Sequence, residues 1–413
     1  MRRFLVSAVG GIAIPFSTTA RPVPKRMVSV HGPNWERVRS EYALSDSILN
    51  FHNAGLNPTP RRISKRLSEL TAQANEVPAL SQFRQMPRMV VEVREKMASF
   101  LGCKPTELSF QVNTTQALET ILLGMDLPEH AEILTSDQDY PSILNTLDLL
   151  QRRKNIKVVK VSLPTPTSDD EALIESFRAA ITPQTRVLLF SHIININGQI
   201  LPAKKLCDLA KEHGILSVVD GAHAVGQLPV NLSQIGCDCY ATSFHKWVGA
   251  PVGNGGMYIR EDLIPDIWPN WGAPVGQEHS IEKFEHSGTH PLPIRIALED
   301  ALDFHLGIGT ENKRSRLLEL NKWWIDEVKK LPKVYFNSPL EESHRSSIIN
   351  VGITGWSPDK LSTYLRKEWK VFTSISMHPQ AKGIRVSPNV YTSRQDVETL
   401  ILGIKQAHQS APE

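Results

Sequence analysis

Seven short apolar runs lie between residues 108 and 260, and helical patterns such as 172–180 and 203–212 separate most of them. Strands that alternate with helices in this way favour a parallel sheet with helices on both faces. The sequence therefore predicts an α/β fold built on a mostly parallel seven-stranded sheet. Its predicted strands are 108–112, 132–135, 156–163, 186–192, 216–220, 239–244 and 256–260.

The pattern changes after Pro293, where a helix-rich stretch covers residues 294–330. Short strand patterns follow, with helical patterns at 358–368 and 394–406, and they predict a smaller α+β unit. These strand patterns are 334–337, 347–353, 371–376 and 383–386. A chain of 413 residues that is 41% hydrophobic can build a large core in two lobes. We therefore predict a large domain over 61–293 and a small C-terminal domain over 294–413.

A carboxylate and a lysine follow two neighbouring strand patterns of the predicted sheet. Asp220 ends one apolar run, and Lys246 follows the next run in the segment Ser-Phe-His-Lys-Trp. Ligand groups collect at the carboxyl ends of the strands in an open α/β sheet. A desolvated lysine can form an imine with an aldehyde cofactor, and a carboxylate can keep the ring nitrogen of pyridoxal phosphate (PLP) protonated. Each residue alone is typical of a turn or a surface, but their order and spacing favour a PLP site.

The segment Asp220-Gly-Ala-His223, followed by Ser243-Phe-His-Lys246, resembles the signature of the class V aminotransferase family. This family consists of PLP enzymes of fold type I, and the chain is most similar to its bacterial isopenicillin N epimerase-like branch. The resemblance extends from about residue 53 to residue 395. It implies the PLP-dependent transferase fold, PLP as cofactor and a small amino-acid-like substrate. It also implies that residues 27–60 pack with the small domain.

The resemblance assigns roles to the residues of these two motifs. Lys246 would carry the cofactor as an imine, and Asp220 would pair with its pyridine nitrogen. Ser243 and His245 would bind its phosphate, and His223 would lie beside its phenolic oxygen. The catalytic residues implied are Lys246, Asp220, His223 and Tyr140.

Further cofactor contacts come from three other segments. Residues 111–117 resemble the phosphate loop of the family, with Thr114 and Thr115 at the phosphate. A capped helix beginning here would offer free N–H groups to an anion. Tyr140 stands where the family stacks a ring on the cofactor, and Asn195 stands near the phenolic oxygen.

Two distant segments complete the expected site. Residues 286–291 resemble a loop that crosses a dimer interface, so Thr289 would reach the phosphate bound by the neighbouring subunit. This implies an obligate homodimer with shared active sites. Arg385 stands where the family binds the substrate carboxylate, a task that suits the planar, bidentate guanidinium group.

The reaction stays open between several classes at the level of the sequence. The nearest branch implies an epimerase or racemase; a carbon–sulfur lyase and an aminotransferase are the alternatives, and a non-catalytic PLP-fold protein is disfavoured by the intact motifs. Segment 371–379 has Phe372 where desulfurases of the family carry an arginine, and it contains no cysteine. This argues against persulfide chemistry there. Epimerisation needs a proton carrier opposite Lys246, and the candidates are Tyr140, His223 and His378.

The first 26 residues form a basic start followed by small and apolar residues, which is typical of a signal peptide. The twin arginines Arg2 and Arg3 resemble a twin-arginine signal. We therefore predict export to the periplasm, with a cytoplasmic enzyme as the alternative. The rest of the chain has 41 basic and 43 acidic residues, which does not suggest nucleic-acid binding. No apolar run reaches the ~20 residues needed to span a bilayer, so stable membrane insertion is not expected. We also expect no metal site.

Overall fold

The structure is a computed structural model that describes residues 28–29 and 32–411. The predicted signal peptide, residues 1–26, lies outside the described residues. The strands are β1 Val28–Ser29, β2 Gly32–Pro33, β3 Leu49–Asn50, β4 Leu108–Gln111, β5 Glu132–Ser136, β6 Lys157–Val161, β7 Thr185–Ser191, β8 Leu216–Asp220, β9 Cys239–Ser243, β10 Gly255–Ile259, β11 Val334–Phe336, β12 Ile349–Ile353, β13 Val371–Phe372, β14 Ser374–Ser376 and β15 Gly383–Val386.

The helices are α1 Trp35–Ser40, α2 Arg61–Glu76, α3 Pro78–Leu80, α4 Met86–Leu101, α5 Thr114–Gly124, α6 Pro141–Lys154, α7 Asp170–Arg178, α8 Ala203–Glu212, α9 Leu232–Ile235, α10 Leu292–Ile308, α11 Thr310–Val328, α12 Pro358–Trp369 and α13 Arg394–Gln409. Shorter helical turns occur at Ser81–Gln85, Pro105–Glu107, Glu261–Asp266, Ile281–Glu285 and Pro379–Ala381. Within the described part of the chain, none of the helices has the length and apolar character that crossing a membrane requires.

The large domain is built on a seven-stranded sheet with the order β4-β10-β9-β8-β7-β5-β6. The five strands from β9 to β6 pair in parallel, whereas β10 runs antiparallel to both of its neighbours. Every side chain of β4, β5, β9 and β10 is buried, because helices cover both faces of the sheet. This double burial explains the continuous apolar runs in the sequence. The predicted α/β fold with a mostly parallel seven-stranded sheet is confirmed.

The small domain contains a four-stranded antiparallel sheet with the order β11-β12-β15-β14. Helices α11, α12 and α13 pack on it, and Trp324, Leu365 and Leu400 bury their side chains in a core shared with Val351 and Ile384. The prediction of a smaller α+β C-terminal unit is therefore confirmed.

The chain before the large domain is attached to the small one. Strand β3 pairs in parallel with β13, and the Phe51 N–H donates to the Phe372 carbonyl at 2.9 Å. Phe51 is fully buried in the small-domain core. Asn53 donates through its side chain to the carbonyl of Ser387 at 2.8 Å. These contacts place the residues that follow Phe51 at the border between the two domains.

The helix-rich stretch after Pro293 consists of two helices that Gly309 separates. Gly309 has a φ of +87°, a conformation that disfavours other residues and ends α10. Helix α10 packs against α2 and α4, and its Leu298 and Phe304 lie in the core of the large domain. The predicted boundary at 293/294 assigns α10 to the small domain, whereas its apolar face is buried in the large unit.

Candidate active site

A cavity of about 330 Å³ opens at the carboxyl ends of β5, β7, β8 and β9. It is lined by all of the residues predicted for the site except Thr289. The lining residues from that prediction are Thr114, Thr115, Tyr140, Asn195, Asp220, His223, Ser243, His245, Lys246 and Arg385. Most of them follow the parallel strands, whose carboxyl ends meet at one edge of the sheet, whereas Arg385 comes from β15 of the small domain. Thr289 is exposed on a loop of the same chain, so its contact with a neighbouring subunit stays a prediction.

Lys246 lies in the turn after β9, and its ammonium group is enclosed. Burial lowers the pKa of Lys246 from 10.5 to about 8, and the charge of Arg385 acts in the same direction. The negative charge of Asp220 opposes both effects. Asn57 donates through its side chain to the carbonyl of Lys246 at 2.5 Å. A lysine held in this way is partly neutral near physiological pH and is therefore a nucleophile or a base.

Asp220 is the last residue of β8 and is buried. Burial raises the pKa of its carboxyl group to about 6, against the effects of the Ala222 N–H and of Lys246. The Ala222 N–H donates to Oδ1 at 2.9 Å. Among the described residues, nothing donates a hydrogen bond to Oδ2. This oxygen can accept one from a protonated ring nitrogen, which would stabilise the charged carboxylate.

The start of α5 provides an anion site in the wall of the cavity. Asn113 caps this helix by accepting from the Gln116 N–H at 2.8 Å. Ser243 Oγ accepts from the Thr114 N–H at 3.0 Å and lies 2.7 Å from Thr114 Oγ1. The hydroxyl groups and the helix N-terminus together suit a phosphate.

His245 lies beside this anion site. Its Nδ1 is 3.1 Å from the carbonyl of Asn254, and a carbonyl only accepts, so Nδ1 carries a proton and Nε2 is the free nitrogen. Burial lowers the pKa of His245 to about 4. A phosphate dianion at Nε2 would favour uptake of a second proton there.

Arg385, from β15, brings a positive charge into the cavity. Nη1 donates to the carbonyl of Asn195 at 2.5 Å and to its Oδ1 at 3.0 Å, and Nε donates to Ser374 Oγ at 3.0 Å. Burial lowers the pKa of Arg385 to about 10. None of the acidic residues in the described part of the chain pairs with it, and its Nη2 makes no hydrogen bond there. The guanidinium is therefore available to an anionic ligand.

His223 lies next to Lys246, with 3.5 Å between its Nε2 and the lysine Nζ. The indole N–H of Trp247 donates to His223 Nδ1 at 3.4 Å, which places the proton of the neutral imidazole on Nε2. Burial and the nearby charges of Lys246 and Arg385 hold the pKa of His223 well below its usual range. His223 is therefore a neutral hydrogen-bond donor on the Lys246 side of the cavity.

Three residues of this region carried no signal in the sequence. His52 lines the cavity, Asn57 holds the backbone of Lys246, and Lys313 donates to the carbonyl of Trp247. Lys313 is buried on α11, and burial lowers its pKa to about 7. In the sequence, a buried lysine of an amphipathic helix looks the same as an exposed one. The burial of Lys313 is therefore visible only in the packed structure.

The residues of the cavity fit PLP group by group. Among the described residues, Asn195 Nδ2 is buried without a hydrogen-bond partner, and the Ala222 N–H donates to Oδ1 of Asp220 and leaves Oδ2 to a ligand. Asn195 Nδ2 could donate a hydrogen bond to the phenolic oxygen of PLP, and Asp220 Oδ2 could accept one from its protonated ring nitrogen. The start of α5 could bind the phosphate, and Lys246 could form an imine with the aldehyde. The fold and this site define an enzyme of fold type I that uses PLP.

The chain belongs to the aminotransferase class-V family, whose model matches residues 49–400. PLP is the cofactor of this family. The chain is 27% identical over 388 residues to the isopenicillin N epimerase of Streptomyces clavuligerus, covering 89% of this chain and 96% of that protein. It is 29% identical over 391 residues to the isopenicillin N epimerase of Amycolatopsis lactamdurans, covering 90% and 98%. The predicted family is confirmed, and the chain is similar to isopenicillin N epimerases, as the motifs suggested.

The fold agrees with that of a solved structure. The cysteine desulfurase from Thermococcus onnurineus NA1 matches with a TM-score of 0.80 at 22% identity, over 91% of this chain and 98% of that chain. This likeness concerns the architecture, namely the large sheet and the smaller C-terminal domain. The reaction must be inferred from the residues in the cavity.

Proposed function

We propose that this protein is an epimerase or racemase that inverts the α-carbon of an amino acid or aminoacyl compound. When bound, PLP supplies an electron-withdrawing ring that makes loss of the α-proton possible. The residues of the chain must then bind the substrate, remove a proton from one face of the α-carbon and return one to the other. Each of these tasks has a candidate in the cavity.

Arg385 binds the α-carboxylate in this proposal. Its free Nη2, together with the positive charge that no described acidic residue neutralises, favours a carboxylate in a site largely removed from water. Asn195 holds the guanidinium in place through two hydrogen bonds. The substrate is thereby oriented with its α-carbon toward the Lys246 side of the cavity.

Lys246 is the proton carrier on one face. With a pKa of about 8, its amine can both accept and return a proton near neutral pH. His223 lies on the same side, 3.5 Å from Nζ, and therefore does not supply the opposite face.

Tyr140 is the proton carrier on the other face, and its position in the sheet carries the proposal. It follows β5, whereas Lys246 follows β9, and β7 and β8 lie between these strands. Three strand spacings correspond to roughly 14 Å, so the two side chains enter the cavity from different directions. His378, the remaining candidate, does not line the cavity and accepts from the Gln380 N–H through Nδ1. Tyr140 Oη would donate the proton that completes inversion.

The cysteines argue against a persulfide route. None of the four cysteines lines the cavity, and Cys207, Cys237 and Cys239 are buried. Burial raises the pKa of each of these three thiols, so they stay protonated and unreactive. An elimination or a transamination that uses Lys246 alone remains the alternative outcome of the test below.

The test is an assay of each enantiomer of an amino-acid panel in D₂O. Chiral chromatography with mass spectrometry should show both enantiomers, with one deuterium at the α-carbon of the inverted product. Tyr140→Phe should still exchange the α-hydrogen on the Lys246 face but should invert at least about 100-fold more slowly, the usual contribution of a general acid. Tyr335→Phe is the matched control, because both tyrosines are 41% exposed and Tyr335 lies outside the cavity.

Two results would contradict the proposal. The formation of keto acid with ammonia, or of an aminated cofactor, without inversion would indicate a lyase or an aminotransferase. Unchanged inversion by Tyr140→Phe would remove Tyr140 from the reaction.

A further inference from the structure

A second cavity, of about 540 Å³, adjoins the active site. His52 and Gly55 line both cavities, so the two spaces meet at these residues. The second cavity, called the side chamber below, lies between the N-terminal segment and the residues around Phe372 and Tyr391 of the small domain. Its volume is within the range that holds whole small ligands.

The junction between the cavities is formed by His52 and Gly55 and is neutral. A Cβ atom at position 55 would come within 2.7 Å of His52 Nε2, so the glycine lets the imidazole lie against the backbone. The same ring contacts Phe372 edge-on, with 5.6 Å between the ring centroids. Burial lowers the pKa of His52 to about 4, with further contributions from Arg385 and Lys246. An uncharged group thus passes from one cavity to the other without meeting a charge at the junction.

The walls of the side chamber are mainly apolar. Ile48, Leu56 and Phe372 line the side chamber, and each keeps more than a third of its surface exposed. The wall also contains Arg39 and Asp396, which pair with each other at 2.6 Å. Because these charges offset each other, the side chamber favours an apolar occupant.

The active-site cavity has little room for a large substrate side chain. Its 330 Å³ must hold the cofactor together with the amino and carboxylate groups of the substrate. A long side chain can therefore extend out of this space into the side chamber, which begins at its wall at His52 and Gly55.

We propose that the side chamber binds the substrate's side chain, and that the substrate is an α-amino acid with a long, unbranched, largely apolar side chain. His52 and Gly55 form the passage, and the wall around Ala43 and Ile48 sets the length that fits. The inference rests on the proposed function, because it takes the α-amino and α-carboxylate groups to lie at Lys246 and Arg385.

The test uses two series of unbranched amino acids with side chains of one to six carbons. The first series carries a methyl group in place of the α-hydrogen, so it cannot react, and its Kd values are measured by calorimetric titration of the holoenzyme. The second series is unmodified, and kcat/KM is measured for exchange of the α-hydrogen in D₂O. Affinity or kcat/KM should improve about fourfold for each added carbon, the effect of burying one methylene group.

Ala43→Trp should narrow the side chamber and reduce the advantage of the longest over the shortest side chain at least tenfold. Ala179→Trp is the matched control, since Ala179 is also exposed but lies outside both cavities, and it should keep the full advantage. The visible absorption of the bound cofactor reports whether each variant is folded. If Ala43→Trp does not fold, Ser45→Trp narrows the same wall.

The inference would be overturned if side-chain length changed neither Kd in the first series nor kcat/KM in the second. It would also be overturned if the folded tryptophan variants kept the full advantage of the longest over the shortest side chain. These outcomes differ from a failure of the proposed function. Hydrogen exchange without inversion would contradict an epimerase and leave the chain-length result valid, whereas inversion that ignores chain length would contradict the side chamber alone.

Discussion

Lys246 should react as a neutral amine at a pH well below the pH at which an ordinary lysine loses its proton. Burial lowers its pKa from 10.5 to about 8. At pH 7 about one-tenth of such a group is neutral, against roughly one part in 3,000 at the ordinary value, so the neutral fraction is about 300-fold larger. Asp220→Asn removes a negative charge that favours the ammonium form, and should lower the pKa further. Arg385→Gln removes a positive charge that disfavours it, and should raise the pKa.

The assay is acetylation by acetic anhydride, a small uncharged reagent, of protein freed of cofactor. Labelling is measured between about pH 6 and pH 11, and mass spectrometry of the peptide containing Lys246 gives the midpoint. Lys65, whose side chain is 79% exposed, provides the reference within each sample. A wild-type midpoint near 10.5 would refute the reasoning. Shifts in the same direction for both variants would show that something other than charge governs Lys246.

Three further predictions concern the site. Borohydride reduction of the holoenzyme should attach the pyridoxyl group to Lys246, and peptide mapping of Lys246→Ala should find no adduct; an adduct on another lysine would contradict the assignment. Arg385→Lys should lower kcat/KM for amino acids at least tenfold, since losing a charge-assisted contact away from water costs about 2–5 kcal/mol, while the cofactor absorption stays unchanged; wild-type kinetics would remove the carboxylate role. Lys246→Ala mixed with Thr289→Val should regain partial activity through hybrid dimers, and a fully active monomer in native mass spectrometry would exclude shared sites.

The large sheet was predictable because strands that are buried on both faces appear in the sequence as continuous apolar runs. Strand β8 has the predicted bounds, and β5 differs by one residue. The stretch 371–376, predicted as one strand, is two strands in different sheets, so that prediction was wrong. Val371–Phe372 pairs with β3, and Ser374–Ser376 pairs with β15. The partner β3 is only two residues long and lies more than 300 residues earlier, so no local pattern reveals the break.

The site was predictable where a motif keeps its residues close in sequence, as around Asp220 and Lys246. The sequence could not separate Tyr140, His223 and His378 as proton carriers, because the distinction depends on the order of the strands. It also could not find Asn57 or Lys313. Their contacts with the backbone beside Lys246 exist only after the N-terminal segment and α11 have packed against the large domain.

The pairing of β3 with β13 has a consequence for the synthesis of the protein. Strand β3 leaves the ribosome first and must wait for a partner more than 300 residues later, roughly half a minute at about 10 residues per second. During that time the large sheet can form, but His52 and Asn57 have no fixed place beside Lys246. Nascent chains released before residue 371 should therefore hold the cofactor poorly, and the active site matures only after β13 has been made.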